Sequence, residues 1–152
     1  MRFRESNKIK EPYIINGGSV EDSRGSVIFV NDFDLKEIRR FYQISNCDTN
    51  FERGWQGHKI ESRWFQSLKG TISLSLIAFE DYKKGDKVRC SLFELSCDKP
   101  QVLYVPPGYV SCIKAKTKEH CLGVFSNYSL NAIKDEVRFE LDYFDTIIEK
   151  RQ

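Results

Sequence analysis

The segment Arg53-Gly-Trp-Gln-Gly-His-Lys-Ile-Glu-Ser-Arg63 concentrates more chemistry than any other stretch of this 152-residue chain. On a strand, alternate side chains share a face, so Gln56 and His58 would point the same way. Histidine moves protons near neutral pH, and a guanidinium such as Arg63 or Arg53 stabilises developing oxyanion charge. If that face lines a barrel lumen, His58 sits in a pocket with Arg63 reachable from the next strand. The other reading of the same residues is a surface loop with ordinary charges. The second histidine, His120, lies in a Lys118-Glu119-His120 turn and is expected to be solvated.

The elements that would position these side chains are short β-type runs separated by turn residues. Ser26 to Val30 follows the turn-like Asp22-Ser-Arg-Gly25, and Arg40 to Ser45 is aromatic and β-branched. Arg63 to Leu68 ends in Lys69-Gly70, which reads as a tight hairpin, with Thr71 to Leu76 returning from it. That last run alternates polar and apolar residues, so Ser73 and Ser75 are candidates for a wet lumen face. Tyr82 to Lys87 reads as a second hairpin loop, and Val102 to Val105 runs into Pro106-Pro-Gly108, where proline ends the pairing. Only the tail, Tyr143 to Lys150, has helical character. Eight or more strands at this spacing predict an all-β sandwich or closed barrel, mostly antiparallel, with a short C-terminal helix.

Length and composition bound the rest. With 40% hydrophobic and 13% aromatic residues, the chain suits one compact domain and excludes a disordered tail protein. Lys and Arg number 24 against 22 Asp and Glu, too even a balance for nucleic acid to be the main ligand. No eighteen-residue apolar run exists to span a membrane, and Met1 to Lys8 lacks the apolar stretch of a signal peptide. The chain therefore reads as soluble and cytoplasmic. Five cysteines without a C-x-x-C pair argue against a disulfide framework or zinc knuckle. Cys112 follows a pocket-like loop, yet no base stands beside it in sequence, so an inert thiol is expected.

The order of residues resembles the cupin superfamily, whose first motif places a glycine before H-x-H, a glutamate and a glycine, and whose second is P-x-G-x-x-H. Here the first histidine position is Gln56, the second His58, and the glutamate falls on Ser62 or Arg63. Glu61 is one position off and would point to the other face. Ser111 replaces the last histidine. One imidazole is too few for a divalent transition ion, so no metal and no other cofactor is expected.

Within that superfamily the chain resembles the RmlC-like nucleotide-sugar branch, containing dTDP-4-keto-6-deoxyglucose 3,4-ketoisomerases and dTDP-4-dehydrorhamnose 3,5-epimerases. Asp22-Ser-Arg-Gly25 resembles D-x-R-G, Arg39 to Ile44 resembles K-R-x-Y-x-I, and Arg53 to Lys59 is similar to R-G-x-H-A-H-K. Val124 to Tyr128 is similar to L-A-S-x-Y, and Asp135 to Phe144 to the tail motif D-Y-I-R-x-Y-x-x-F. The match spans about residues 16–145 of one domain covering 1–152. It implies a jelly-roll barrel, a homodimer, and an enzyme that shifts a proton on a dTDP-linked 4-keto sugar.

In that scheme His58 removes the C3 proton, Arg63 or Arg53 holds the enediolate, and Gln56 orients a hydroxyl. Arg40 and Tyr42 would meet the diphosphate or base, or face outward as strand residues; Arg53, Ser73, Ser111 and Tyr128 complete the expected contacts. The departures are specific: both subgroups' upstream histidine is Gln56, the epimerase tyrosine falls near Gly123, and the epimerase lysine on Arg63. One imidazole on one face suits ketoisomerisation better than epimerisation. A non-catalytic sugar-nucleotide binder is the second reading and a lipocalin-like carrier the third.

Overall fold

The computed structural model describes residues 11–79 and 87–148. Among them run twelve strands: β1 Tyr13–Asn16, β2 Gly18–Asp22, β3 Gly25–Phe29, β4 Arg40–Ile44, β5 Glu52–His58 and β6 Arg63–Lys69. They continue with β7 Thr71–Ala78, β8 Cys90–Ser96, β9 Gln101–Val105, β10 Tyr109–Ala115, β11 Cys121–Ser126 and β12 Glu136–Arg138. Two five-stranded sheets, β1-β9-β6-β11-β4 and β12-β5-β10-β7-β8, face each other, and every strand pairing within them is antiparallel. The hairpin β2–β3 forms a sheet of its own. Among the described residues no helix is long and apolar enough to cross a membrane.

Alternation explains the core. On β7, Ile72, Leu74 and Leu76 are essentially inaccessible to solvent while the residues between them are half-buried. With Phe65, Leu103, Leu122 and Val124 they fill the space between the sheets. Ser73 and Ser75 are the residues between, so they lie on the opposite face from the lumen, and the lumen expected of them is not theirs. Their cross-strand partners on β10, Lys114 and Cys112, share that outer face.

Two other expectations need correction. Lys69-Gly70 is no hairpin: β6 and β7 belong to different sheets, and the chain turns a corner between them. Gly70 has φ +68°, and an added Cβ would lie 2.2 Å from the Glu119 carbonyl oxygen and from Thr117 Oγ1. A corner packed so closely on the β10–β11 turn leaves room only for glycine. The tail is not helical as far as Ile148, and residues 149 and 150 lie outside the described part. Bonds from Tyr143 to Glu140, Asp145 to Asp142 and Ile147 to Phe144 form separate turns, with one wider bond from Ile148 to Phe144. Packing overrides propensity here. Phe144 is fully buried against Trp55 and Phe139, and the Val88 N–H donates to the Ile147 carbonyl, holding the tail open along β8. The Tyr82 to Lys87 loop falls outside the described residues, Lys87 excepted.

The tail thereby builds a second apolar cluster on the outside of the β5–β10–β7 sheet, where Trp55, Ile77, Val110 and Phe144 meet. On the outside of the other sheet, Tyr13, Tyr104, Trp64, Phe125 and Phe41 stand in one register row, a residue per strand. Their rings contact in succession, with Phe33 bridging Trp64 and Phe125.

Candidate active site

The cleft opens at the end of the barrel where β5 runs out and β6 begins. Gly57 brings β5 against β10: an added Cβ would sit 1.9 Å from the Tyr109 carbonyl oxygen, so only glycine permits this approach. The parity of β5 then turns Gln56 and His58 inward and Trp55 outward, as the sequence predicts. A small cavity is lined by Gln56, His58, Arg63, Tyr42, Arg53 and Ser111, together with Glu61, Tyr109 and apolar residues from the barrel wall. Arg40 joins them at its mouth with Lys134, Glu136 and Arg138. Ser73 and Tyr128 line neither; the Tyr128 backbone N–H donates to Ser126 Oγ.

The decisive geometry surrounds His58. Its Nδ1 lies 2.9 Å from Asp135 Oδ1 and 3.1 Å from Glu61 Oε2. Asp135 is buried and also accepts the backbone N–H groups of Ile60 and Glu61, at 3.0 and 2.8 Å. Burial pushes its carboxyl up, but the hydrogen bonds from His58, Glu61 and Ile60 outweigh that and hold it below the usual carboxylate range. An ionised carboxylate only accepts, so the ring hydrogen belongs on Nδ1. In the neutral ring Nε2 then carries the lone pair, and it has no hydrogen-bond partner among the described residues. That is the arrangement of a general base oriented by a buried acid.

Glu61 is not on the far face. The strand ends at His58, and the bend at Lys59–Ile60 swings the carboxylate back beneath the imidazole. Its other oxygen accepts from Ser126 Oγ and pairs with Arg63 Nη2 at 3.0 Å. Arg63 Nη1 donates to the Tyr42 hydroxyl, while its buried Nε has no partner among the described residues. Arg63 thus neutralises one of two carboxylates beside His58. Gln56 Nε2 donates to Glu136 Oε1 at 2.5 Å, and its own oxygen has no donor among the described residues.

His58, Glu61 and Asp135 place one donor atom each within 4.8 Å of one another, the separation a metal ion would need. The set fits a cation poorly, because Arg63 already occupies Glu61 and three N–H groups already converge on Asp135. The sequence missed Glu61 by assuming an unbroken strand. It held Asp135 only as part of a tail motif, since nothing local announces a contact between residues 77 positions apart. His120 is half-buried rather than fully solvated: Nε2 accepts the Asn46 backbone N–H at 2.8 Å.

No protein-family model matches the chain, and no curated protein sequence does. Solved structures do match. The chain superposes with a TM-score of 0.68 on a histidine-to-asparagine variant of the 3,4-ketoisomerase QdtA from Thermoanaerobacterium thermosaccharolyticum, in complex with TDP-4-keto-6-deoxyglucose. Identity is 22%, over 90% of this chain and 93% of that one. The WlaRB TDP-quinovose 3,4-ketoisomerase from Campylobacter jejuni gives 0.66, at 22% identity over 90% and 99%. The Mycobacterium tuberculosis RmlC epimerase gives 0.70, at 15% identity over 93% and 74%. The chain has the RmlC-like cupin fold. Within this fold one imidazole, backed by two carboxylates, stands at the barrel mouth among four arginines, Arg40, Arg53, Arg63 and Arg138.

Proposed function

We propose that this cupin is a dTDP-4-keto-6-deoxy sugar 3,4-ketoisomerase of deoxysugar biosynthesis, with His58 as the proton-transfer base. The observation that carries the reading is the 2.9 Å contact of His58 Nδ1 with Asp135 Oδ1, which leaves Nε2 without a partner among the described residues of the cleft. A 4-keto group acidifies the neighbouring C3–H. His58 Nε2 takes that proton, the electron pair forms the C3–C4 double bond, and the enediolate charge rests on O4. Asp135 and Glu61 stabilise the imidazolium, and Arg63 or Arg53 holds the oxyanion. Return of the proton to C4, with transfer of the O3 hydroxyl proton to O4, yields the 3-keto isomer with no oxidant or reductant.

Support for a nucleotide diphosphate comes from the mouth. Arg40 sits 4.3 Å from the Tyr42 ring centroid, and Arg53, Lys134 and Arg138 share that rim. Guanidinium groups match phosphate oxygens in geometry and charge. The protein is further proposed to act as a homodimer in the cytoplasm. The β2–β3 hairpin leaves Val20, Val27 and Ile28 more than half exposed, and a second copy would cover them.

Incubation with dTDP-4-keto-6-deoxyglucose in D2O, followed by mass spectrometry, tests the activity. Wild type should take up deuterium at C3 or C4 and move the carbonyl to C3. His58→Asn should slow exchange by about 10² to 10⁴ while holding the sugar nucleotide nearly as well. Unchanged exchange in that variant removes His58 as the base. Inversion at C3 without carbonyl movement makes the protein an epimerase, and binding without exchange makes it a non-catalytic binder.

A further inference from the structure

Asn46 follows β4, outside the cleft, yet the residue is only 7% exposed, and every polar atom of its side chain is used. Nδ2 donates to the Ile113 carbonyl at 3.0 Å and to the Phe51 carbonyl at 3.4 Å. Oδ1 accepts from Arg53 Nε at 3.1 Å. The backbone N–H donates to His120 Nε2, whose Nδ1 donates to the Thr117 and Lys118 carbonyls, both at 3.0 Å. A neutral imidazole with hydrogen on Nδ1 satisfies both sides of that bridge. The Arg53 guanidinium carbon lies 5.8 Å from the Phe51 ring centroid, and the loop bearing Phe51 is closed by Asp48 Oδ1 accepting from Asn50 and Phe51.

Arg53 is therefore gripped at Nε and flanked on one side by an aromatic ring. Its two terminal nitrogens have no partner among the described residues, and the side chain lines both the cavity and its mouth. We propose that Asn46, clamped through His120, is a positioning residue that aims the Arg53 terminal nitrogens at the anionic part of the substrate, the diphosphate. A surface arginine samples many rotamers and loses that freedom when it binds; one already held by its inner nitrogen loses less. The proposal rests on the nucleotide-sugar reading. It adds that affinity for the charged group is set from the β10–β11 turn, remote from the reacting carbon.

Calorimetric titration with dTDP, with thymidine as control, tests it on wild type, Asn46→Ala, Arg53→Lys and the double variant. His120→Leu removes the clamp while leaving the Asn46 side chain in place. Asn46→Ala should weaken dTDP binding roughly tenfold, as expected for one lost orienting hydrogen bond, and leave thymidine binding unchanged. In the Arg53→Lys background, which has no Nε, Asn46→Ala should weaken dTDP no further, although both backgrounds lose the same thermal stability. His120→Leu should lower dTDP affinity in the same direction by a smaller factor. Equal losses for Asn46→Ala with and without Arg53 would overturn the proposal and make Asn46 merely structural. Wild type that binds no dTDP overturns the nucleotide-sugar reading instead, and the two failures are distinct.

Discussion

The two ends of the barrel interior are made by the same strands, with the same alternation, yet one is a dry core and the other a charged cleft. Along the inward face of β6 the residues run Arg63, Phe65; along β4 they run Arg40, Tyr42, Ile44; along β10, Ser111, Ile113, Ala115. On each strand a polar or charged residue near the mouth is followed inward by an apolar one, although β6 goes on to the buried Ser67. Alternation decides which side chains turn inward, but position along the strand decides whether they do chemistry. The difference has an energetic side. Dry-end residues stabilise the fold by removing apolar surface from water, whereas the open end holds buried charges whose desolvation offsets their attraction.

Substitutions at the two ends should therefore fail in different ways. The largest loss of stability belongs at the dry end. Leu74→Ala opens a cavity at a fully buried site and should cost about 2–5 kcal/mol in urea denaturation, with the exchange rate per folded molecule unchanged. At the open end, Asp135→Asn should slow C3 exchange about 10²-fold, within the range for lost proton-transfer catalysis, because an amide no longer fixes the Nδ1–H tautomer. If Asp135→Asn loses stability but keeps its rate, the contrast between the ends breaks.

The same variant gives a pH test. Asp135 titrates lower in the folded protein than its ordinary value, so it binds fewer protons folded than unfolded. Its contribution to stability is then complete above the unfolded carboxylate value, about 4, and is lost as pH falls through the lower folded value. Thermal unfolding of wild type and Asp135→Asn should differ at neutral pH and converge in acid. Arg40→Ala, at the rim, should weaken dTDP by roughly tenfold with turnover preserved, as for one charge-assisted contact.

The smallest effects lie on the outer sheet face. Ser73→Ala should change stability by no more than about 0.5 kcal/mol and leave exchange alone. Cys112, on the same face, has its thiol pushed up to about 11 by burial, then by Glu52 and Cys90, with Lys114 opposing. It should alkylate at neutral pH far more slowly than exposed Cys47, as followed by intact mass. Fast alkylation of Cys112 would show this face to be open.

The strands were legible because period-two patterning is local, and so was the inward placement of Gln56 and His58. Pairing was not: Lys69-Gly70 looks the same in a hairpin and in a corner, and only the competition of β9, β11 and β10 for partners separates them. Ser73 was misplaced because alternation says that two faces differ without saying which is inside. Glu61 depended on where β5 stops, and element ends are the least regular part of any strand. Asp135 and Asn46 act through contacts 77 and 7 positions away, Asn46 being further tied to His120 at 74. Such ties leave no trace in spacing.

The long span between His58 and Asp135 also bears on how competence arises as the chain folds. Bringing its ends together forfeits more chain entropy than any adjacent-strand turn, so local pairings are favoured to form earlier. Docking of β12 onto β5 fixes the histidine's tautomer, and in the same movement the tail covers Trp55 with Phe144. A barrel caught before that step could already present its arginines to an anion, yet it would lack a directed base. On the proposed mechanism, readiness for proton transfer is in that sense a late checkpoint, and the last strand acts as the latch.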